Sequence, residues 1–331
     1  MKTVHKKFEA RFQSHLNYSQ LLCNHNKILV ALSGGSDSVA LLVLLRRLSR
    51  IHKVHISAAH CNFQLRGKDS DLDAAFCRKL CKKLDIPFFE RAFHTKVYAK
   101  THKLSVETAA REIRYNYFEE LMKTHGFEAL LTAHHLDDHA ETVLFNLLRG
   151  SSLSGLMGIR AVREDLLDGV VIRPLLPFSK KELNDYLKSV KQRFREDISN
   201  HSLEPDRNFV RLKLIPLLEK RFEGKFKPSL TRLASQAEEI RDFLDERFLH
   251  FLGGAFHAET GILELPRFNS LTAFEKKECM KRIVAIYGVS PDFDMLERLA
   301  LMPDLETGKK VQISKQLIAK REREFIQFQL C

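Results

Sequence analysis

The apolar run Ile28-Leu29-Val30-Ala31-Leu32, followed at once by Ser33-Gly34-Gly35-Ser36-Asp37-Ser38, constrains this chain more than any other feature. The run reads as a buried strand, and the Val39 to Leu48 stretch after the glycines reads as a helix. A strand that passes through two glycines into a helix N-terminus is built to hold phosphate. Glycine lets the backbone approach an anion and aim its N–H groups at it, and the helix dipole adds to the attraction. No Lys follows the glycines, so this is not the GxxxxGK[ST] loop. Two of its Ser hydroxyls can bond the phosphate, and Asp37 can hold a divalent ion against it.

Strand-like and helix-like segments alternate through the first ~190 residues, which predicts an α/β fold with a parallel sheet built from βαβ units. Strands are predicted at 27–32, 54–60, 87–93, 129–133 and 170–174. Helices are predicted at 38–49, 68–84, 105–125, 137–149 and about 180–189. Ligands of such sheets sit at the carboxyl ends of the strands. Those ends carry Ser33-Gly34-Gly35, His60-Cys61-Asn62 and Thr132-Ala133-His134-His135, three polar edges expected to converge on one crevice. From about 190 to 227 the pattern loosens around Pro205, Pro216, Gly224 and Pro228. We place the boundary there, giving a catalytic domain over 1–222 and a smaller, mostly helical domain over 223–331. The second domain is expected to hold helices from Leu230 to Leu252 and Ala273 to Tyr287, with a closing hairpin near 310–313 and 324–329.

A net charge of +12 in 331 residues points to a polyanionic partner such as nucleic acid. No apolar run approaches the ~20 residues that cross a bilayer, and the polar start MKTVHKKFEARFQSH is no signal peptide. No membrane association and a cytoplasmic location are therefore expected. The cysteines Cys23, Cys61, Cys77, Cys81, Cys279 and Cys331 form no CxxC and no zinc spacing, which reads as reduced thiols. A homodimer is compatible with these features, which leave the oligomeric state open.

The densest polar cluster is His134-His135-Leu136-Asp137-Asp138-His139-Ala140-Glu141-Thr142. His134, Asp138 and Glu141 are spaced four and three, the spacing of one helical face, and Asp137 and Glu141 are four apart. Acids favour a first helical turn anyway, but three of them with histidines beside a phosphate loop suggest function. Mg²⁺ shared with the bound phosphate is preferred here over a dedicated metal cage. A second constellation is Glu107-Thr108-Ala109-Ala110-Arg111-Glu112-Ile113-Arg114-Tyr115. Its Glu107, Arg111 and Arg114 share one side of a helix, serving either as surface charge or as bidentate phosphate ligands. The third comprises Glu196-Asp197-Ile198-Ser199-Asn200 and Arg207-Asn208-Phe209-Val210-Arg211. Between Asp206 and Arg232 eight Lys or Arg face three acids, with Phe209, Phe222 and Phe226 interleaved. That mixture suits phosphates and unstacked bases, or a solvated linker.

Taken together these segments closely resemble the tRNA(Ile)-lysidine synthetase family, within the PP-loop ATP pyrophosphatases of the adenine nucleotide alpha hydrolase-like fold. The resemblance rests on Ser33–Ser38, AAHCNFQLRG (58–67), ETAAREIRY (107–115) and LLTAHHLDDHAETVLFNLLRGSSLSGLMG (130–158). IRPLLPFSK, EDISN and RNFVR follow in the family's order, over about residues 25–220. ILELPRF and the final KKVQIS resemble the family's first C-terminal domain, so the chain looks like the short form without the second. Phe63 stands where many members carry a His, and Ala161-Val162 replaces a more usual proline-bearing sequence. The resemblance implies ATP-dependent adenylation of C2 of the wobble cytidine in the CAU anticodon of tRNA(Ile), then attack by the ε-amine of free L-lysine. It further implies ATP held by Ser33, Gly34, Gly35, Ser36, Asp37, Ser38, His60 and His134, and Mg²⁺ held by Asp37 and Asp137. Asp138 and Glu141 would bind the ammonium and take its proton. Arg111 or Arg114 would neutralise the α-phosphate, and Arg207, Asn208 and Arg211 would contact tRNA. The nearest rival is another PP-loop tRNA-modifying enzyme such as a tRNA thiolase, which needs paired cysteines or an iron–sulfur site that this sequence does not show.

Overall fold

The structure, a computed structural model, describes residues 2–52, 54–151, 153–167, 169–195 and 205–330. The EDISN segment, Glu196 to Asn200, lies outside them. The chain divides into two compact units, residues 1–237 and 238–331.

The first unit runs α1 (Lys2–Tyr18), β1 (Lys27–Ala31), α2 (Ser36–His52), β2 (His55–Asn62), α3 (Lys68–Leu84), β3 (Phe88–Ala92) and α4 (Thr95–Thr101). It continues with α5 (Val106–His125), β4 (Ala129–Leu131), α6 (Leu136–Leu148), α7 (Leu153–Leu156), β5 (Val162–Leu167), β6 (Gly169–Ile172) and α8 (Lys180–Ser189). Among the described residues the strands form one sheet in the order β3-β2-β1-β4-β6-β5. All neighbours are parallel except β5, which pairs antiparallel with β6 at the edge. β5 escapes the sequence reading because VREDLL carries charges where a buried strand would carry aliphatics.

Side chains alternate across β1. Ile28 and Val30 enter one core with α1, α2, α3 and α8, whereas Leu29 enters the opposite core with Tyr117, Phe118, Leu121 and Met122 of α5. A strand sandwiched in this way must be apolar on both faces, which is why it reads so clearly. The N-terminal segment, read as merely polar, is α1. Its Phe8, Phe12 and Leu16 repeat every four residues, with Phe12 and Leu16 buried, and Phe8 packs 5.2 Å from both Phe178 and Tyr186.

After α8 the described chain resumes with α9 (Pro205–Phe209), a π-helical turn over Val210–Leu214, α10 (Ile215–Arg221) and the long α11 (Phe226–Ala255). The two units meet at 237/238, inside α11, beyond the expected boundary at 222/223. The reason is packing: Leu230 and Ala234 of α11 complete a buried cluster with Val210, Ile215, Ala140, Val143 and Leu144.

The second unit holds the rest of α11, then β7 (Phe256–His257), β8 (Ile262–Glu264), α12 (Leu265–Asn269), α13 (Ala273–Ile286), α14 (Phe293–Ala300), β9 (Lys310–Gln312), β10 (Leu317–Arg321) and β11 (Phe325–Leu330). The anticipated hairpin is part of a larger antiparallel sheet, β7-β8-β11-β10-β9. Its buried Leu263, Ala319, Ile326 and Phe328 alternate with more exposed residues. The short strands β7 and β8 lack the length that makes alternation legible in sequence.

A chain ending at Ala237 is therefore expected to melt well above one ending at Phe222. The shorter piece leaves Val210, Ile215 and Leu144 without Leu230 and Ala234, and losing a buried Leu commonly costs about 2–5 kcal/mol. Equal melting temperatures by calorimetry would show that residues 226–237 are not part of the first core.

Candidate active site

In the order β2-β1-β4, β1 lies at the point from which the chain winds in both directions, and the crevice at its carboxyl end is where such sheets hold ligands. The loop after β1 is wired to itself and to the strand beside it. Leu32 N–H donates to Ala59 O, and His60 Nδ1–H donates to Leu32 O at 2.8 Å. Burial holds the His60 imidazole below its usual pKa and so neutral, with backbone bonding to Leu32 a smaller opposing effect. His60 thus braces the strand end beneath the loop. Ser33 N–H donates to Ser38 Oγ, the two serine hydroxyls lie 3.1 Å apart, and Ser38 Oγ donates to Gly35 O. Gly34 has φ +92°, and a Cβ there would stand 3.2 Å from the buried Cys77 Sγ. Because α2 begins at Ser36, the N–H groups of its first turn face the mouth of this loop.

Across the crevice the loop after β4 carries the acidic cluster, and the helix begins later than its spacing suggests. His134 precedes α6, its Nδ1 3.0 Å from Thr132 Oγ1, and His135 is the N-cap. His134 therefore does not share a helical face with Asp138 and Glu141. His135 and Asp138 form a reciprocal capping box: His135 Nδ1 accepts from Asp138 N–H, and Asp138 Oδ2 accepts from His135 N–H. The buried imidazole of His135 also lies 3.6 Å from Asp37, 3.7 Å from Asp137 and 3.4 Å from Asp138. Burial alone would lower its pKa, but the bond to Asp37 and the three carboxylate charges hold it above the usual value.

Two lysines missed by the sequence reading complete this arrangement. Lys180 Nζ donates to both oxygens of Asp37, at 2.7 and 2.6 Å, and to Ser36 Oγ at 2.8 Å. Its backbone N–H donates to Asp137 Oδ2 at 2.7 Å, and Lys227 Nζ donates to Asp137 Oδ1 at 2.7 Å. Burial works against ionising Asp37 and Asp137, yet these bonds and His135 keep both carboxyls below the usual aspartate range. Asp138 lies on the other side of that balance. Burial raises its pKa, with His135 opposing and Asp37 reinforcing. Lys180 sits in the IRPLLPFSK segment, but nothing local in sequence pairs it with a residue 143 positions away.

Glu141, expected to face an amine, is buried and committed elsewhere. Its carboxylate accepts from Arg207 Nε at 2.6 Å and lies 3.8 Å from Arg211 Nε. These arginines, expected on tRNA, flank the half-buried Asn208 and lead into the π-helical turn. Arg111 and Arg114 are exposed on α5, stacked over Tyr115 at 5.1 Å and Phe63 at 5.2 Å. Burial above all, then the charges of Arg173, His135, Arg114 and Arg111, lowers His134 to about 4. A neutral His134 amid guanidinium charge marks a place suited to an anion. Asp37 and Asp137 each hold an ammonium, and their carboxylate oxygens are donors of the type hard divalent cations take.

A self-wired Ser-Gly-Gly-Ser-Asp-Ser loop leading into a helix at the switch point of a parallel sheet defines a PP-loop nucleotide-binding domain, and the family model described as PP-loop domain matches residues 4–218. The tRNA(Ile)-lysidine synthase of Chlorobaculum tepidum is 39% identical over 307 residues, 92% of this chain and 91% of that protein. The chain belongs to the tRNA(Ile)-lysidine synthase family. The synthase of Bacteroides thetaiotaomicron is 42% identical over 70% of this chain but only 52% of its own length, so the chain spans about half of some curated relatives. Among solved structures, the U34-tRNA thiolase NcsA of Methanococcus maripaludis with its [4Fe-4S] cluster superposes with a TM-score of 0.60. The match covers 72% of this chain and 80% of that one at 21% identity, a likeness of fold.

Two outcomes follow from this geometry. Gly34→Ala is expected to cost roughly 1–2 kcal/mol of folding stability, because an L side chain resists that backbone, and to weaken ATP binding more than tenfold. Denaturant unfolding with ATP titration checks both. His60 and His134 have folded pKa values below the unfolded one, so protonation favours the unfolded chain. Their cost is absent above pH 6.5 and grows as pH falls, by up to about 1.4 kcal/mol per pH unit for each. His134→Gln should flatten the acid limb of stability between pH 6.5 and about 4; an unchanged slope in urea unfolding would refute it.

Proposed function

We propose that this chain carries out the reaction of its family: ATP adenylates C2 of the wobble cytidine in the CAU anticodon of tRNA(Ile), and free L-lysine then displaces AMP to give lysidine. The observation that carries this reading is the PP-loop, with its Asp37, facing Asp137, Asp138 and two ammonium groups across one crevice. The loop's N–H groups and the start of α2 bind the departing pyrophosphate. Lys180, held at Ser36 and Asp37, lies where its charge can transfer to the phosphates. Mg²⁺, held by Asp37 and Asp137, would supply charge neutralisation of the phosphate oxygens. Arg111 and Arg114 supply positive charge beside His134, where the α-phosphate is attacked.

The second step needs a free amine from a group whose usual pKa is about 10.4. Of the two carboxyls expected to receive its proton, Glu141 is occupied by Arg207 and Arg211, whereas Asp138 is held by backbone and imidazole at the crevice. We therefore assign the proton to Asp138, and to Glu141 the positioning of two arginines that approach the tRNA backbone. A thiolase reading is less favoured. Cys61 and Cys81 are pushed up to about 12 by burial, and Cys77 further still, so these thiols stay protonated and packed.

Protein incubated with tRNA(Ile), ATP and lysine should yield AMP, pyrophosphate and lysidine, read by nucleoside mass spectrometry; ADP as the main product would overturn the assignment. Asp37→Asn should abolish pyrophosphate release. Asp138→Asn should still release pyrophosphate but form lysidine about 10²–10⁴-fold more slowly, the usual contribution of a positioned base. Loss of both steps together in Asp138→Asn would place that residue in the ATP half instead.

A further inference from the structure

Beside the crevice, and separate from it, a cavity of about 440 Å³ opens between the end of β3, α4 and α5. Its walls are aromatic. Phe93, Tyr98 and Tyr117 line it, and Tyr98 is stacked on His102 with ring centroids 4.0 Å apart and planes 22° from parallel. The Tyr98 hydroxyl donates to Glu112, and Arg91 makes two 2.6 Å bonds to Glu120 while lying over Tyr117. These contacts hold the rings in place. Asn116, His94 and Thr101 add hydrogen-bonding groups at the rim. A rigid aromatic slot with a few polar groups at its edge fits a planar heteroaromatic ring.

Two further observations say which ring. From Arg91 to Arg114 the chain carries six Lys or Arg against two acids, and Lys96, Lys100 and Lys103 are all exposed on α4 or just after it. That rim suits a phosphate backbone more than a free metabolite. A line of side-chain contacts also leads from the cavity to the crevice: Phe93 stacks on Phe63 at 6.3 Å, Phe63 carries Arg114 at 5.2 Å, and Arg114 contributes to the field at His134.

We propose that the cavity between β3, α4 and α5 takes one unstacked base of the tRNA strand, adjacent to the nucleotide held in the crevice. The inference rests on the tRNA reading above and extends it to a second contact. Stacking of single-stranded bases on aromatic side chains is sequence-tolerant, so this contact sets affinity and placement of the strand rather than base identity.

The test is binding of a tRNA anticodon stem-loop to the full chain, by fluorescence anisotropy, with ATP affinity measured in parallel. Tyr98→Ala should weaken RNA binding roughly five- to hundredfold, the range that loss of one stacked base spans, with ATP affinity unchanged; Tyr98→Phe should stay near wild type. Val97→Glu, on a side chain 64% exposed and lining the cavity, should weaken it without any effect on folding. Single abasic substitutions around the loop locate the base: one position should cost wild type as much as Tyr98→Ala does, and cost that variant nothing more. Wild-type RNA affinity in both Tyr98→Ala and Val97→Glu, or equal losses at every abasic position in wild type and variant, overturns the cavity assignment and leaves the tRNA reading intact. Absence of any stem-loop binding and of tRNA-dependent pyrophosphate release by wild type overturns both.

Discussion

Three carboxylates, Asp37, Asp137 and Asp138, stand within 3.7 Å of one buried imidazole, and the rest of the crevice depends on that gathering. Like charges so close repel one another unless cations or dipoles compensate. Compensation comes from three sources: His135, whose pKa is held up by the same acids, the ammonium groups of Lys180 and Lys227, and the N-termini of α2 and α6. The sources are spread over α2, α6, α8 and α11. The sheet order that sets β1 beside β4 therefore assembles the charge cluster as well as the cleft.

This explains what could be read from the sequence. The phosphate loop, the apolar strand before it and the three polar strand ends are local patterns, and each takes the place the βαβ alternation gives it. The pairs Lys180–Asp37, Lys227–Asp137 and Arg207–Glu141 span 143, 90 and 66 positions, and no periodicity records them. A lysine near a proline-rich segment looks the same in sequence whether it is solvated or closing a site. The misjudged faces have a similar origin. Helical spacing groups His134 with Asp138 and Glu141, but α6 starts at Leu136, and only the capping geometry of His135 reveals the true phase.

His60 and Phe63 show the same point on a smaller scale. At a strand end, His60 reads as a ligand, yet its Nδ1 is spent on the Leu32 carbonyl, beside Cys77 at 3.7 Å. It shapes the loop from below. Phe63, on the loop after the same strand, gives Arg114 an aromatic face. In both cases the residue type suggests chemistry and the neighbours assign support.

Burial decides which of the ion pairs can move. Lys180–Asp37 leaves 38% and 27% of the two side chains exposed, and Lys227–Asp137 leaves 20% and 28%. Partly solvated pairs of this kind contribute at most about 1 kcal/mol each, so a polyphosphate bringing its own charge can exchange partners with them cheaply. Glu141 is only 6% exposed and Asp73, which holds Arg66 and Arg195, only 9%. Their arginine partners are 33–38% exposed, so the carboxylate is the buried end of each pair, and losing an arginine would leave that carboxylate buried without its partner. Those pairs are fixed: Arg195 N–H is bonded to Gly34 O, which ties the phosphate loop to Asp73, and Glu141 anchors the turn that carries Arg211. The crevice thus has an inner set of ammonium–aspartate contacts that a polyphosphate can exchange and an outer set of arginine contacts to buried carboxylates that tie down the loop and the turn beside it.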